Sequence, residues 1–245
     1  MVTLNKDTLN EETLKESTQL TLPVELPELA QFSLFVAGPN QTAVDYLCGI
    51  EEAPFYHSAV IGPEGAGKTH LLSAMTDLVQ SRGEMAMYLP LDVLCNESPE
   101  LLEGLETAQL LALDNIEAVT PNSEWALALF ALINRFIDRQ QGHLLWSSNV
   151  PARAMNVSLA DLQSRLQAAT HFKLAPLNDI EKVQALKVHA QSRGLVLSDD
   201  VAEFLLGRLS RGMNGLMQTL AALDQASMRE QRRLTLPFVK KVLSL

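Results

Sequence analysis

An octapeptide in the first third of the chain, residues 62–69, limits the fold more than any other stretch. Its sequence, GPEGAGKT, fits the P-loop pattern G-x-x-x-x-G-K-[ST]. Residues 56–61 before it read as a buried strand, and residues 70–75 after it begin an amphipathic helix, which is the context that the motif requires. In such a loop the backbone N–H groups converge on phosphate oxygens, and the helix N-terminus adds positive potential. We expect Lys68 to reach the terminal phosphates of a nucleotide and the Thr69 hydroxyl to hold Mg²⁺.

Short apolar runs alternate with helical patterns through the first two thirds of the chain. The predicted strands are residues 56–61, 85–89, 110–113, 144–146 and 172–174. This alternation predicts an α/β fold with a parallel sheet flanked by helices, and ligands at the carboxyl ends of the strands. From residue 177 the strand signal stops, and four helices are predicted up to residue 245. We therefore expect a nucleotide-binding α/β domain over residues 27–176 and a small all-α C-terminal domain over residues 177–245.

Two finer expectations concern helices of the α/β domain. Asn40 is of a type that caps helices, and it precedes a helical pattern that runs to about residue 48. A longer helix is predicted from residue 123 to about residue 139. Four apolar side chains of that helix are expected to pack in the core: Leu127, Leu129, Leu132 and Ile133.

The apolar run 110–113 ends in a carboxylate, Asp114. Next to a P-loop, such a strand is the expected second element, and Asp114 would hold Mg²⁺ through water. An efficient nucleotide hydrolase would place an acid at the next position to take a proton from water, but the residue there is Asn115. Glu117 follows at a position whose direction the sequence leaves open. The pattern therefore predicts nucleotide binding more firmly than turnover.

Three further polar residues are candidates for contact with a nucleotide phosphate. Ser148 and Asn149 end a core strand and could sense a γ-phosphate, although they also suit a turn before Pro151. Arg165 lies on a predicted helix between the last two strands and could complete the phosphate site of a neighbouring subunit as an arginine finger. The alternative for Arg165 is a solvated ion pair on the surface.

The charge of the chain argues against strong direct binding to DNA. The 19 Lys and Arg residues stand against 29 Asp and Glu residues, a net charge of -10, which repels a phosphate backbone except at a local basic patch. The two cysteines predict no disulfide framework and suit a reduced, cytoplasmic setting. No apolar run is long enough for a membrane span.

The N-terminal residues fall into two parts. Residues 1–18 are polar with few apolar anchors and are expected to be a disordered tail. Residues 19–26 carry Pro23 and an apolar/polar alternation and are followed directly by Pro27, which favours an extended segment. Such a segment could add to the surface of another protein, or it could be a linker whose leucines pack on their own domain.

Taken together, these residues resemble the AAA+ ATPases related to the replication initiator DnaA, and within them the Hda family of regulatory inactivators. The resemblance covers residues 19–245 and is carried by four stretches. These are the N-terminal QLTLP at Gln19, Leu20, Thr21, Leu22 and Pro23, the P-loop with His70 after it, the segment LDNIE at residues 113–117, and the closing RLTLPFVK at residues 233–240. DnaA itself continues into a helix-turn-helix DNA-binding domain, and the resemblance leads us to expect a regulator without that domain.

The resemblance implies a negative regulator of replication initiation. Members of the family bind a nucleotide, usually ADP, and dock on the DNA-loaded sliding clamp of DNA polymerase III, where they stimulate hydrolysis of ATP on DnaA. By position, the resemblance assigns the clamp contact to Gln19, Leu20, Thr21, Leu22 and Pro23, and the finger to Arg165. Its nucleotide-binding residues would be Gly62, Glu64, Gly65, Ala66, Gly67, Lys68, Thr69, His70 and Asn214, with Thr69 and Asp114 for Mg²⁺. The expected cofactors are ADP or ATP with Mg²⁺, and self-association is a further possibility.

Two departures from the wider AAA+ pattern qualify these expectations. Asn214 stands where the C-terminal domain usually offers an arginine to the phosphates, and Asn115 replaces the expected acid. Both predict that hydrolysis by the chain itself is weak. The alternatives are a self-contained AAA+ ATPase, such as a helicase loader or remodelling motor, and a DNA-binding initiator. The motor would turn over ATP without a partner, and the initiator is disfavoured by the acidic charge.

Overall fold

The computed structural model describes residues 30–49, 55–208 and 212–244. Within these residues a five-stranded sheet forms the centre of the α/β domain. Its strands are β1 (Phe55–Ile61), β2 (Ala86–Pro90), β3 (Leu110–Asp114), β4 (Gly142–Ser148) and β5 (Thr170–Lys173). The spatial order is β2-β3-β4-β1-β5, and every pairing is parallel. The predicted tail at residues 1–18 and the predicted clamp segment at residues 19–26 lie outside the described residues.

Helices cover both faces of the sheet. The helices of this domain are α1 (Gln41–Cys48), α2 (Lys68–Ser81), α3 (Leu91–Leu94), α4 (Ser123–Arg139) and α5 (Ala160–Gln167). One apolar cluster joins the sheet to α1 and α2, and another joins its other face to α4 and α5. Alternate residues of β3 divide between them, since Leu111 and Leu113 belong to one cluster and Leu110 and Ala112 to the other. This two-sided burial explains why the strand reads as a continuous apolar run.

The C-terminal helices build a separate apolar cluster. They are α6 (Asp179–Ser192), α7 (Asp199–Arg208), α8 (Met213–Glu230) and α9 (Leu236–Val242). The Asn178 side chain accepts a hydrogen bond from the backbone N–H of Glu181, and the Glu181 side chain accepts one from the backbone N–H of Asn178, so a capping box starts α6. The predicted fold class, a parallel α/β sheet flanked by helices with a helical C-terminal domain, is confirmed. We call this C-terminal helical part the lid.

Two of the finer expectations are wrong. Asn40 stands at the N-cap of α1, but its side chain makes no capping bond. Instead its amide donates to the backbone carbonyl of Ala175 at 2.9 Å and accepts from the Ala175 backbone N–H at 2.8 Å. Leu127 is 62% exposed, whereas the other three residues expected in the core from α4 are fully buried. Leu127 points to solvent because it lies on the opposite side of the helix from Leu129.

Candidate functional site

The P-loop backbone takes conformations that only glycine adopts without strain. Gly65 has φ of 76° and Gly67, immediately before α2, has φ of 93°. A Cβ atom at Gly67 would also lie 2.7 Å from Cε2 of Phe35, and one at Gly62 would lie 2.7 Å from the carbonyl oxygen of Leu174. The loop is therefore packed closely between the segment before α1 and the end of β5, and the glycines are needed for space as well as for conformation.

Lys68 is held inside this loop rather than extended into solvent. Its ammonium group donates to the carbonyl oxygens of Gly62 at 2.9 Å and Pro63 at 3.1 Å, and to Oδ1 of Asn149 at 2.9 Å. Burial lowers the pKa of Lys68, while the negative charges of Asp114, Glu117 and Glu64 oppose that shift. The ammonium group is thus a buried cation at the centre of an acidic surround, where a phosphate could replace the carbonyl oxygens as its acceptor.

Asp114 is the hub of a second group of hydrogen bonds. It is 1% exposed, and its Oδ2 atom accepts from the Thr69 hydroxyl at 2.6 Å and from the Tyr88 hydroxyl at 2.8 Å. Its Oδ1 atom accepts from the Ser147 hydroxyl, which itself accepts from the backbone N–H of Asn115. Three neighbouring strands therefore fix the orientation of one carboxylate.

The Thr69–Asp114 pair has the chemistry that Mg²⁺ prefers. Both groups offer oxygen atoms and lie in direct contact at 2.6 Å, with Thr69 in the first turn of α2 and Asp114 at the carboxyl end of β3. Mg²⁺ is commonly held in proteins by one or two such groups together with water and substrate phosphates. Among the described residues there is no cluster of three or more His, Cys, Asp or Glu side chains that could hold a metal ion.

Asn115 and Glu117, which follow Asp114, both line the cavity that contains Lys68. Asn115 has φ of 55°, in the left-handed region that asparagine tolerates better than most residues. Glu117 lines the same cavity as Lys68, where its Oε1 atom accepts from the backbone N–H of Asn149 at 2.8 Å. The other oxygen, Oε2, is buried and has no hydrogen-bond partner. A carboxylate therefore faces the cavity, two positions beyond the place where the pattern expects it.

The two candidate sensor residues behave differently. Asn149 lines the cavity and contacts Lys68 through its side chain and Glu117 through its backbone. The Ser148 hydroxyl instead donates to the carbonyl oxygen of Val150 at 2.9 Å and accepts from the Val150 N–H at 3.1 Å. Ser148 thus makes the turn contacts that the sequence allowed as an alternative, and of these two side chains only that of Asn149 points to the P-loop.

A cavity of about 650 Å³ joins these groups to the lid. At the end away from Asp114, the cavity is lined by the segment before α1 and by residues in or next to α2 and α6. These include Phe35, His70, His189 and Arg193. The His70 ring packs against Phe35 at 5.3 Å and against His189 at 5.7 Å between centroids, and its Nε2 atom lies 2.9 Å from the Gln31 carbonyl oxygen. Burial lowers the pKa of His70, and it lowers that of His189 to about 4 with help from His70 and Arg193. Burial therefore disfavours the charged form of both histidines, and Arg193 supplies the positive charge at this end of the cavity.

The lid contacts the P-loop at the start of α8. The Asn214 side chain donates to Oε1 of Glu64 at 3.4 Å, and a Cβ atom at Gly65 would lie 3.5 Å from the Met213 nitrogen. Asn214, Met213 and Met217 all line the cavity. Asn214 thus reaches the P-loop as the resemblance implies, but as an amide bound to a carboxylate. Arg211, just before α8, lies outside the described residues.

Arg165 is not among the described residues that line this cavity. It lies on α5, where Leu162 and Leu166 are fully buried and Arg165 itself is exposed. Its charge contributes, after burial and His171, to lowering the pKa of His57 to about 4. Arg165 therefore belongs to a part of the α/β domain distinct from the chain's own P-loop.

The P-loop residues, Asp114, Asn149 and Asn214 come together, but some contributors were not predicted. Tyr88 gave no sequence signal as a site residue, since it is one aromatic residue of a buried strand. Phe35, His189 and Arg193 line the cavity although their positions in the chain are far from the P-loop. The five predicted clamp-contact residues at positions 19–23 lie outside the described residues. Across the described ranges, no helix has both the length and the apolar character to cross a membrane.

Comparison with known proteins found a family match for the C-terminal helices and fold matches for most of the chain. Residues 179–243 match the family model described as "Hda, lid domain". The fold is similar to domain III of the replication initiation protein DnaA from Thermotoga maritima, with a TM-score of 0.73 at 18% identity over 90% of this chain and 98% of that one. It is also similar to AMPPCP-bound DnaA from Aquifex aeolicus, with a TM-score of 0.67 at 19% identity over 85% of this chain and 71% of that one.

A third similar structure is the RuvB Holliday junction branch migration motor of Thermotoga maritima, with a TM-score of 0.61 at 18% identity over 83% of this chain and 68% of that one. At these identities the solved structures establish the fold, and the lid match adds the relationship to Hda. Residues 179–243 are therefore similar to the lid domain of Hda, and the chain has the fold of DnaA domain III.

Proposed function

We propose that this chain is a nucleotide-bound negative regulator of DNA replication initiation. In this proposal it holds ADP or ATP with Mg²⁺ in the P-loop cavity, docks on the DNA-loaded sliding clamp of DNA polymerase III, and stimulates hydrolysis of ATP on DnaA. The chain supplies Arg165 to the ATP site of DnaA as an arginine finger. In this proposal the protein acts in the cytoplasm and activates ATP hydrolysis by its partner.

The exposed position of Arg165 is the observation that carries this proposal. An arginine finger must reach the nucleotide of a neighbouring subunit, so it has to lie outside its own nucleotide cavity on a rigid support. Arg165 is exposed on a helix anchored by the buried Leu162 and Leu166, and it does not line the cavity. Fingers supplied in trans can accelerate hydrolysis by ~10³–10⁵.

The resident nucleotide would bind through the groups that already converge in the cavity. Lys68 and the P-loop amides would hold the phosphates, while Thr69 and Asp114 would hold Mg²⁺. A solved DnaA structure of the same fold is described as bound to AMPPCP, which supports a nucleoside triphosphate or diphosphate as the ligand. Asn214 and Glu64 pair across the lid contact, so the lid can close on a nucleotide without an arginine at this position.

The measurement that tests the proposal is ATP hydrolysis in a matched set of mixtures. DnaA alone, this chain alone, and both with clamp-loaded DNA are compared, and we expect acceleration in the complete mixture. Arg165→Ala should return the rate to that of DnaA alone while leaving nucleotide binding to the chain intact, whereas the exposed Arg139→Ala should act like the unchanged protein. Full stimulation by Arg165→Ala would refute the finger assignment.

The clamp contact is proposed from residues 19–23 and has a separate test. Gln19→Ala combined with Leu20→Ala should abolish capture of the chain by the immobilised clamp, because a short extended peptide depends on a few side-chain anchors. The double variant should still bind nucleotide, since those residues lie before the P-loop domain. Undiminished capture would show that this segment is a linker.

One observation favours the alternative of a self-contained ATPase. The Glu117 carboxylate lines the cavity beside Lys68, so it could accept a proton from water as the water attacks the γ-phosphorus and the bond to the bridging oxygen breaks. This alternative predicts steady hydrolysis by the chain alone that falls ~10²–10⁴-fold in Glu117→Gln. The regulator proposal predicts a slow rate in both proteins.

A further inference from the structure

The charge of the chain is divided unequally between its two parts. Residues 1–176 carry 9 Lys and Arg against 22 Asp and Glu, whereas residues 177–245 carry 10 against 7. The lid is therefore net positive on a protein of net charge -10. Five of its cationic residues lie after residue 228, and Glu230 is the one acidic residue in that stretch. We name the surface formed by Arg229, Arg232, Arg233, Lys240 and Lys241 the lid basic surface.

The arginines of this surface form no direct ion pair in the described part of the chain, although Arg232 and Arg229 act with Lys241, the largest contributor, to lower the pKa of the Glu230 carboxyl. Lys241 pairs with Glu230 at 2.8 Å, and Lys240 lies 5.3 Å from the ring centroid of Phe204. Within residues 30–49, 55–208 and 212–244, none of the three arginines forms an ion pair. All three are exposed, so their guanidinium groups are available to a ligand.

The segment that carries Arg232 and Arg233 is fixed by backbone contacts. The Ser227 hydroxyl donates to the Arg232 carbonyl oxygen at 2.6 Å, and the Arg232 N–H donates to the Ser227 carbonyl oxygen at 3.2 Å. Leu234 next to them is 5% exposed. The two arginines are thus displayed from an ordered turn at the end of α8, which reduces the entropy lost on binding.

Arg232, Arg233 and Lys241 converge on one hollow of about 310 Å³, together with Thr235 and Pro237. Among the described residues that line the hollow, the one aromatic residue is Phe238, and it is 4% exposed. The hollow therefore offers no ring on which an unpaired base could stack. Forked guanidinium groups match phosphate oxygens in geometry as well as in charge. These features favour a duplex backbone over a single strand.

The hollow is separate from the nucleotide cavity. The cavity touches α8 at Met213, Asn214 and Met217, whereas the lid basic surface begins at the other end of the helix, after Met228. A helix of 18 residues is about 27 Å long, so one small ligand cannot contact both ends. From this arrangement we infer that the lid basic surface binds the phosphate backbone of double-stranded DNA without reading its sequence.

Binding of a fluorescently labelled duplex of about 30 base pairs, followed by anisotropy over a salt series, tests this inference. If the unchanged protein neutralises about three phosphates, its affinity should fall about 40-fold between about 50 mM and about 200 mM salt. For Arg232→Ala combined with Arg233→Ala, one remaining contact predicts a fall of about 3.5-fold over the same range, from a weaker starting affinity. Unfolding temperature and ADP affinity should stay unchanged in this variant.

The matched control is Arg139→Ala combined with Arg153→Ala, which removes the same charge from exposed positions of the α/β domain. The control should bind the duplex like the unchanged protein. The inference is overturned if the unchanged protein shows no salt-dependent binding, if the lid variant binds as well as the unchanged protein, or if the control loses as much affinity as the lid variant. A lid variant that loses self-association but not duplex binding would assign the surface to protein contact and would also overturn it.

This experiment uses the chain alone, without clamp or DnaA. Its failure would therefore leave the proposed regulation of DnaA untouched. Conversely, loss of stimulation in Arg165→Ala would say nothing about the lid basic surface, because Arg165 lies on α5.

Discussion

Replacing Tyr88 by phenylalanine removes one hydroxyl group from the hub around Asp114 and leaves the ring in place. Tyr88 is 9% exposed, and its hydroxyl donates to the buried Asp114 carboxylate at 2.8 Å. A hydrogen bond to a charged group contributes about 1.5–3 kcal/mol to the free energy of unfolding. Asp114 keeps its bonds from Thr69 and Ser147, so we expect a loss at the middle of this range, about 2 kcal/mol.

Tyr46→Phe provides the control, because the Tyr46 hydroxyl lies 3.2 Å from another neutral group, the Ser58 hydroxyl. For that pair the expected loss is about 0.5–1.5 kcal/mol. Urea unfolding measures both values, and for a chain of this size a loss of about 2 kcal/mol should lower the Tm by about 4–8 °C. If Tyr88→Phe costs no more than Tyr46→Phe, the Tyr88–Asp114 bond does not contribute as a charge-assisted bond.

The same pair predicts a response to alkaline pH. Burial and the negative charge of Asp114 raise the pKa of the Tyr88 phenol far above its usual value. The unfolded chain therefore releases this proton first, from about pH 10, and the free energy of unfolding falls as pH rises above that value. The fall should be smaller in Tyr88→Phe, and equal slopes for the two proteins would contradict this assignment.

Two further predictions concern the P-loop and the buried histidines. Gly67→Ala should weaken ADP binding more than tenfold, as measured by calorimetry. The new Cβ would lie 2.7 Å from Phe35, and the backbone at this position has φ of 93°. Together these two effects cost at least about 1–3 kcal/mol. Gly83→Ala, with φ of 79° and open space around it, should lower stability but leave ADP affinity unchanged; equal affinities for all three proteins would refute the steric reasoning. Burial lowers the pKa of His57 and of His189 to about 4 in the folded protein. In the unfolded chain a histidine has its ordinary pKa of about 6.5, so between these two values the unfolded chain binds more protons than the folded protein. The free energy of unfolding should therefore fall as pH drops from about 6.5 to about 4, less steeply in His189→Gln, and a flat urea-unfolding profile over that window would be the contrary result.

Local pattern was sufficient for the parts of the site that lie within one strand–loop–helix unit. The P-loop and Asp114 could be found because each depends on a short run of residues whose chemistry is fixed by neighbours in the chain. Tyr88 could not be found, because it meets Asp114 only through the register in which Leu89 pairs with Leu113 and Pro90 with Asp114. His189 reaches the cavity through packing of the lid, which no local spacing encodes.

One wrong expectation, the Asn40 cap, and one open question, the direction of Glu117, have physical causes of the same kind. Asn40 is of a residue type that caps helices. Its amide instead forms hydrogen bonds with the backbone N–H and carbonyl oxygen of Ala175, 135 residues further along the chain. Glu117 could not be oriented from sequence, since its direction depends on the left-handed backbone at Asn115 and on the N–H of Asn149. Both outcomes depend on long-range hydrogen bonds.

The double contact between Asn40 and Ala175 has a mechanical consequence. It clamps the front of α1 to the connection that leads from β5 into α6, so these two stretches must shift as one piece. Phe35, five residues before Asn40 and packed against Gly67, is thereby tethered close to the base of the lid, so the P-loop and the lid connection share one anchor.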